Sequence, residues 1–281
     1  MVKIISDSST LYSQEEAKNL GLHLCNLSVI VDGKSYKEFE ELSSEELIEK
    51  INAGSIPSTS QPAVGEKMDL YEELGKDHEV IDISMAAGLS GTYDSALMAR
   101  EGCDYKDNIT VFNTRTLCGP HREMVDKALQ MASAGKTRAE IVTMLEKSSS
   151  TESSFLIPFD FDFLKRGGRV SKAAAGLGGL LKLVVCMGKS EDGREIVKHS
   201  VNRTLKKAVQ SMIEALEEKG VDSTYSFYLA HADNLETSEA IHKLLEKHYG
   251  PIHMTYYPLS PAFITQGGPK CIALQVIKVS E

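Results

Sequence analysis

Two periods of hydrophobic spacing alternate along the first half of the chain. Residues 2–5 form a short apolar run of strand length. Ser13-Gln14-Glu15-Glu16 then opens a helix that Gly21 ends. Residues 22–31 read as a second strand. Ser43 or Ser44 caps the next helix, whose first turn carries Glu45 and Glu46 where the helix dipole favours carboxylates. A helix over 64–74 leads into an apolar strand over 80–84. A helix over 92–100, a strand over 109–112 and helices over 119–134 and 138–147 complete this half. Strands separated by helices of about 10–15 residues predict βαβ units and a parallel sheet.

The second half follows another rhythm. Residues 155–157 read as a strand, ahead of a glycine-rich stretch from 165 to 179. Strands over 183–187 and 195–199 flank Ser190-Glu191-Asp192-Gly193, a hairpin signal. A long amphipathic helix over 202–219, a strand over 225–230, a helix over 234–248 and strands over 253–257 and 272–279 follow. The expected fold class is α/β with two domains. Residues 1–152 form an N-terminal α/β domain on a parallel sheet, and residues 153–281 a C-terminal α+β domain on a mixed or antiparallel sheet. The polar run at 148–154 suits the connection.

Composition narrows the function classes. The 281 residues are 42% hydrophobic and 25% charged, which excludes a disordered chain. No run approaches the roughly 18 apolar residues needed to span a bilayer, and residues 1–7 lack the apolar core of a signal peptide, so the expected location is cytoplasmic. A net charge of −9 disfavours nucleic acid as a partner. The five cysteines include no C-x-x-C pair and fit neither a disulfide framework nor a zinc site, and no metal is expected.

The residues best placed for chemistry are hydroxyls and glycines beside strand ends. Ser6-Asp7-Ser8-Ser9 follows the first strand, and Pro57-Ser58-Thr59-Ser60-Gln61-Pro62 precedes the third helix. Gly88-Leu89-Ser90-Gly91-Thr92-Tyr93 opens the helix after the strand at 80–84. Each could be a cap or turn. Together they also suit an anion, held by hydroxyls and free backbone N–H groups beyond the strand ends. Neither a P-loop nor a dinucleotide fingerprint nor a G-x-S-x-G elbow is present. A hydrolase would need a histidine delivered by tertiary structure, and His231 is the placed candidate. The basic cluster Lys165-Arg166-Gly167-Gly168-Arg169 reads either as a phosphate or partner contact or as a solvated loop.

These segments carry a family resemblance. T-S-Q-P at 59–62, L-S-G-T-Y at 89–93 and L-K-R-G-G-R-V-S at 164–171 occur in the order and spacing of the DegV family, and the similarity runs from residue 3 to about 278. The resemblance implies a two-domain fold similar to the substrate-binding domain of dihydroxyacetone kinases. It also implies a FakB-like role. FakB members bind one long-chain fatty acid and present its carboxylate to a separate ATP-dependent fatty acid kinase subunit, which makes acyl-phosphate for phospholipid synthesis. Carried over by motif, Thr59 and Ser90 would bond the carboxylate, Ser58, Ser60, Gly91 and Thr92 would complete that end, and Arg203 would face the head group or the kinase. Gln266 stands where family members often have His, Val184-Val185 replaces a usual K-P, and Asn202 interrupts the usual V-R-T. No cofactor beyond the bound fatty acid and no catalytic residue is implied. The alternative is an enzyme, either a small-molecule kinase subunit or an acyl hydrolase.

Overall fold

A computed structural model of the chain describes residues 1–171, 183–190 and 192–280. The small-residue stretch at 173–181, which the sequence offers as a cavity wall, lies outside the described residues. In chain order the first half contains β1 (Lys3–Asp7), α1 (Gln14–Leu20), β2 (His23–Cys25), β3 (Ser28–Val31), β4 (Lys34–Lys37), α2 (Ser44–Asn52) and β5 (Ser58–Ser60). It continues with α3 (Val64–Gly75), β6 (Val80–Ser84), α4 (Thr92–Glu101), β7 (Ile109–Asn113), α5 (Cys118–Ser133) and α6 (Arg138–Ser149). Strands β2-β1-β6-β7 form the expected all-parallel sheet. Local chemistry sets several boundaries. Ser13 and Glu16 make a reciprocal capping box on α1, and Gly21 ends that helix at φ 73°.

The single strand expected over 22–31 is in fact two strands in different sheets. Asn26 makes the break. Its buried amide donates to the Glu38 carbonyl at 3.1 Å and accepts from Gln14 Nε2 at 2.8 Å, while the Leu27 N–H donates to Ser8 Oγ at 2.8 Å. Those bonds turn the chain out of the parallel sheet and into a small antiparallel one, β4-β3-β5. The apolar pattern continues across the break and conceals it.

The second half contains β8 (Ser153–Ile157), α7 (Phe161–Gly167), β9 (Val184–Lys189), β10 (Ile196–Asn202), α8 (Leu205–Glu218) and β11 (Ser226–His231). It ends with α9 (Leu235–Tyr249), β12 (His253–Pro258), α10 (Pro261–Gly267) and β13 (Ile272–Ile277). The six strands among its described residues form one mixed sheet in the order β10-β9-β8-β13-β11-β12, in which β11 and β12 are parallel and the other paired neighbours antiparallel. The molecule is thus an α/β fold with a parallel sheet in one half and a mixed sheet in the other. The expected hairpin is present, with Lys189 opposite Ile196. Two boundaries differ from expectation. Part of the supposed glycine-rich loop is the last turn of α7, ended by Gly168 at φ 71°. The helix expected from residue 202 begins at Leu205, capped by Thr204, because β10 still runs through Asn202.

Strand alternation divides the mixed sheet between two cores. Phe227, Leu229, Leu274 and Val276 face outward and bury against α8 and α9. Tyr228 and Ile277 face the other way and pack with Ile4, Ile83 and Met124 of the first half. Ala230, Leu259 and Cys271 likewise pack with Leu27, Val29 and Met85. The two halves therefore share apolar cores, and the face between them is where a cavity opens.

Candidate functional site

In the parallel sheet the chain order reverses across β1, which has β2 on one side and β6 on the other. Ligands of open α/β sheets bind beyond the carboxyl ends of strands at such a reversal. The loop after β6 carries Met85, Leu89 and Ser90 to that point, and all three line a cavity of about 1060 Å³, counting the space open at its mouth. Leu156, Leu164 and Met187 of the second half form the opposite wall. The volume is at the upper end of the roughly 300–1,000 Å³ usual for small-molecule sites.

Three sequence-predicted residues, Thr59, Ser90 and Gln266, line this cavity together. Thr59 sits on β5 opposite Val29, and period-two alternation turns its neighbours Ser58 and Ser60 to the exposed face. Gln266 Nε2 donates to Thr59 Oγ1 at 3.0 Å. Thr59 is then engaged as an acceptor, so its own proton is free to donate into the cavity. Ser90 is arranged in the same way. Its Oγ accepts from the Thr92 backbone N–H at 3.3 Å and lies 2.8 Å from Thr92 Oγ1, a contact in which either hydroxyl can donate; with Thr92 donating, the Ser90 proton is available to the cavity. Thr92 is fully buried behind Ser90 and acts through it. Two hydroxyls that each give a proton to the cavity can act as neutral donors to an anion.

Two glycines allow this approach. A Cβ on Gly167 would stand 2.1 Å from Gln266 Oε1, and one on Gly91 would stand 1.9 Å from Gln61 Oε1. Gly91 therefore has a packing role rather than a lining one. Arg169 also lines the cavity, although the residues themselves marked it only as part of a basic cluster. Its Nε donates to the Leu89 carbonyl at 3.0 Å and its Nη1 to the Gly167 carbonyl at 2.5 Å, which places a fixed positive charge beside the Ser90 loop. Lys165 and Arg166 of the same cluster are exposed, with Arg166 over the Phe163 ring at 4.5 Å. Arg203 does not reach the cavity. It is exposed between the end of β10 and the Thr204 cap, and Ser58, Ser60, Gly91 and Thr92 are likewise not lining residues.

The family model described as "Uncharacterised protein, DegV family" matches residues 1–279. The chain belongs to the DegV family. A DegV domain-containing protein of Listeria innocua is 30% identical over 280 residues, covering 97% of each chain. Among solved structures, the fatty-acid-binding DegV family protein of Streptococcus agalactiae superposes with a TM-score of 0.86 at 26% identity, over 100% of this chain and 99% of that one. DegV of Bacillus subtilis, described as a fatty acid binding protein, gives a TM-score of 0.82 at 28% identity over 98% of both chains.

The remaining polar clusters of this DegV protein are of a different kind. His231 is only partly buried, and its Nδ1 accepts from the Asn234 N–H at 3.2 Å, not from a serine. The histidine that does meet serines is His121, with Nδ1 2.7 Å from Ser9 Oγ and Nε2 3.0 Å from Ser6 Oγ. All three residues are fully buried, and none lines the cavity. All five thiols are free and buried. Burial pushes the Cys271 thiol up to about 12, so this cavity-lining residue is a small neutral hydrophobe. Among the described residues no group of His, Cys, Asp and Glu could hold a metal ion, and no helix is long and apolar enough to cross a membrane.

Proposed function

We propose that this DegV protein binds one long-chain fatty acid between its two halves, residues 1–152 and 153–281. The acyl chain lies along Met85, Leu156, Leu164 and Met187, and its carboxylate accepts hydrogen bonds from Thr59 and Ser90. The observation that carries this reading is the cavity itself: apolar walls that end in two hydroxyls, each of which accepts a hydrogen bond from a neighbour and can donate to a ligand. The energetics are consistent. Burying about 15 methylenes at about 0.8 kcal/mol each contributes roughly 12 kcal/mol of gross transfer energy. Lost chain motion offsets much of it. An unpaired buried carboxylate would be prohibitive, and the donor pair removes that penalty. Two DegV relatives of 26% and 28% identity that are described as fatty-acid-binding support the same assignment.

The finer reading is a carrier without chemistry of its own. It works in the cytoplasm and presents the carboxylate to a separate ATP-dependent fatty acid kinase subunit, which forms acyl-phosphate for phospholipid synthesis. Exposed Arg203 belongs to the surface that meets that partner. Support comes from the FakB-like motifs and from the lack of any nucleotide fingerprint in the sequence. Mass spectrometry of the denatured purified protein tests the core of the proposal. One fatty acid per chain is expected, and a protein that neither carries nor takes up a fatty acid would defeat it.

A further inference from the structure

The cavity has a second polar place, apart from the Thr59–Ser90 end. Ser154 on β8 and Gln275 on β13 are cross-strand partners, and both line the cavity with Thr116 and Lys189. Their mutual bonds are extensive. Lys189 Nζ donates to the Glu152 carboxylate and to the Arg115 carbonyl, the latter at 2.9 Å. Thr116 Oγ1 donates to Glu152 Oε1 at 3.0 Å, and the Ser154 hydroxyl donates to the same oxygen. Arg115 and Glu195 also line the cavity.

One atom of this group is unsatisfied. Gln275 is 1% exposed, and its Nε2 donates to the Leu117 carbonyl at 3.0 Å and to Ser154 Oγ at 2.9 Å. Those acceptors decide which way round the amide sits, because a flip would set Oε1 against the Leu117 carbonyl. In the orientation they impose, Oε1 has no hydrogen-bond partner among the described residues. A buried acceptor without a donor is costly, and a hydrocarbon terminus beside it supplies none.

The spacing suits a single elongated ligand. Gly267, next to Gln266, lies so close to Cys271 that a Cβ on it would be 2.6 Å from Cys271 Sγ. From Cys271 to Gln275 the chain advances four residues, or about 13 Å at roughly 3.3 Å per residue. One leaflet of a bilayer core, the depth an acyl chain fills, is about 15 Å. Cys271, Ser154 and Gln275 line the same cavity as Thr59 and Ser90, so a long acyl chain held at the two hydroxyls that follows this face of β13 passes the Ser154–Gln275 row.

We infer that this row is a second polar subsite of the cavity, and that the protein selects acyl chains carrying a hydroxyl at the far end over plain hydrocarbon chains. The inference rests on the fatty-acid reading above. The hydroxyl donates to Gln275 Oε1 and accepts from Lys189, whose ammonium has three protons and two acceptors among the described residues. A terminal methyl group can do neither.

Competitive displacement of a fluorescent fatty acid, with ω-hydroxypalmitic acid and palmitic acid as competitors, tests the inference. The full-length protein should bind the hydroxylated acid about tenfold more tightly. In Gln275→Met that ratio should fall to about one, with Tm recorded to confirm folding. Equal or weaker binding of ω-hydroxypalmitic acid by the unmodified protein overturns the inference and leaves fatty-acid binding standing. If neither acid displaces the probe and no lipid co-purifies, the fatty-acid reading itself fails. Thr59→Val should weaken both acids in parallel, and selective loss of only the hydroxylated acid in that variant would also overturn the assignment of ends.

Discussion

Two serine-rich segments of the first half have nearly the same chemistry and opposite fates. In Ser6-Asp7-Ser8-Ser9 every side chain is fully buried and spoken for. Ser6 Oγ donates to the Ile83 carbonyl at 2.6 Å, Ser8 Oγ to Glu38 Oε1 at 2.5 Å, and Ser9 Oγ meets His121 at 2.7 Å. At Thr59 and Ser90 a neighbour donates to the hydroxyl, so each can give its own proton to something else. Hydroxyl clusters at strand ends are thus not sites by composition. They become sites when the surrounding groups use the acceptor side and leave the donor side facing open space. The sealed cluster holds the sheet together, with the fully buried Lys67–Asp82 pair and Tyr71 donating to Asp82 at 2.5 Å as its extreme form.

The contrast can be broken at its strongest point. Lys67→Met leaves Asp82 as a buried carboxylate without its cation, which should lower unfolding free energy by about 3–5 kcal/mol. Denaturant titration measures it, and a loss below about 1 kcal/mol would show that the pair is not sealed. The open cluster should respond in the other currency. Ser90→Ala removes a hydrogen bond to a charged acceptor, worth roughly 1.5–3 kcal/mol, so fatty-acid affinity should fall about ten- to hundredfold with Tm unchanged. A variant with unaltered affinity would remove Ser90 from the head-group end.

A third test probes the boundary between the two regions. Glu38 accepts from Ser8 in the sealed cluster and from the Ala262 N–H at 3.0 Å in the first turn of α10, the helix that carries Gln266. Burial pushes its carboxyl from its ordinary 4.5 up to about 7. The folded state therefore binds this proton more tightly than the unfolded chain does. The stabilisation is fully present below about pH 4.5 and is lost as pH rises through about 7. Glu38→Gln should flatten that part of the stability profile and raise stability above pH 7 by about 1–3 kcal/mol, while leaving it nearly unchanged at the acid end. Parallel profiles for both proteins would show that Glu38 does not titrate in this window. The smallest effect on binding and stability is expected for Arg203→Ala. Fatty-acid content and Tm should stay as they are, with turnover slowed only in an assay coupled to a fatty acid kinase. Wild-type turnover there would leave Arg203 as surface charge.

The sequence by itself determined the parallel sheet, the β9–β10 hairpin and most helix boundaries, because caps, glycines and hydrophobic periods act over a few residues. It also pointed to Thr59, Ser90 and Gln266, because their motifs are local strings. It missed the break at Asn26 and the hairpin that Asp32-Gly33 turns between β3 and β4, although that turn is local, and it missed β5, whose partner β3 lies far away in the chain. It set Ser58 and Ser60 beside Thr59 at the head-group end, where they do not line the cavity, since which of three consecutive hydroxyls faces it depends on pairing with β3. Arg169 was hidden among exposed basic residues because its role comes from carbonyls at Leu89 and Gly167, positioned by two separate elements. The Ser154–Gln275 row had no motif at all. Only tertiary structure could bring β8, β9 and β13 into register, and with them decide which polar atoms are satisfied and which remain open.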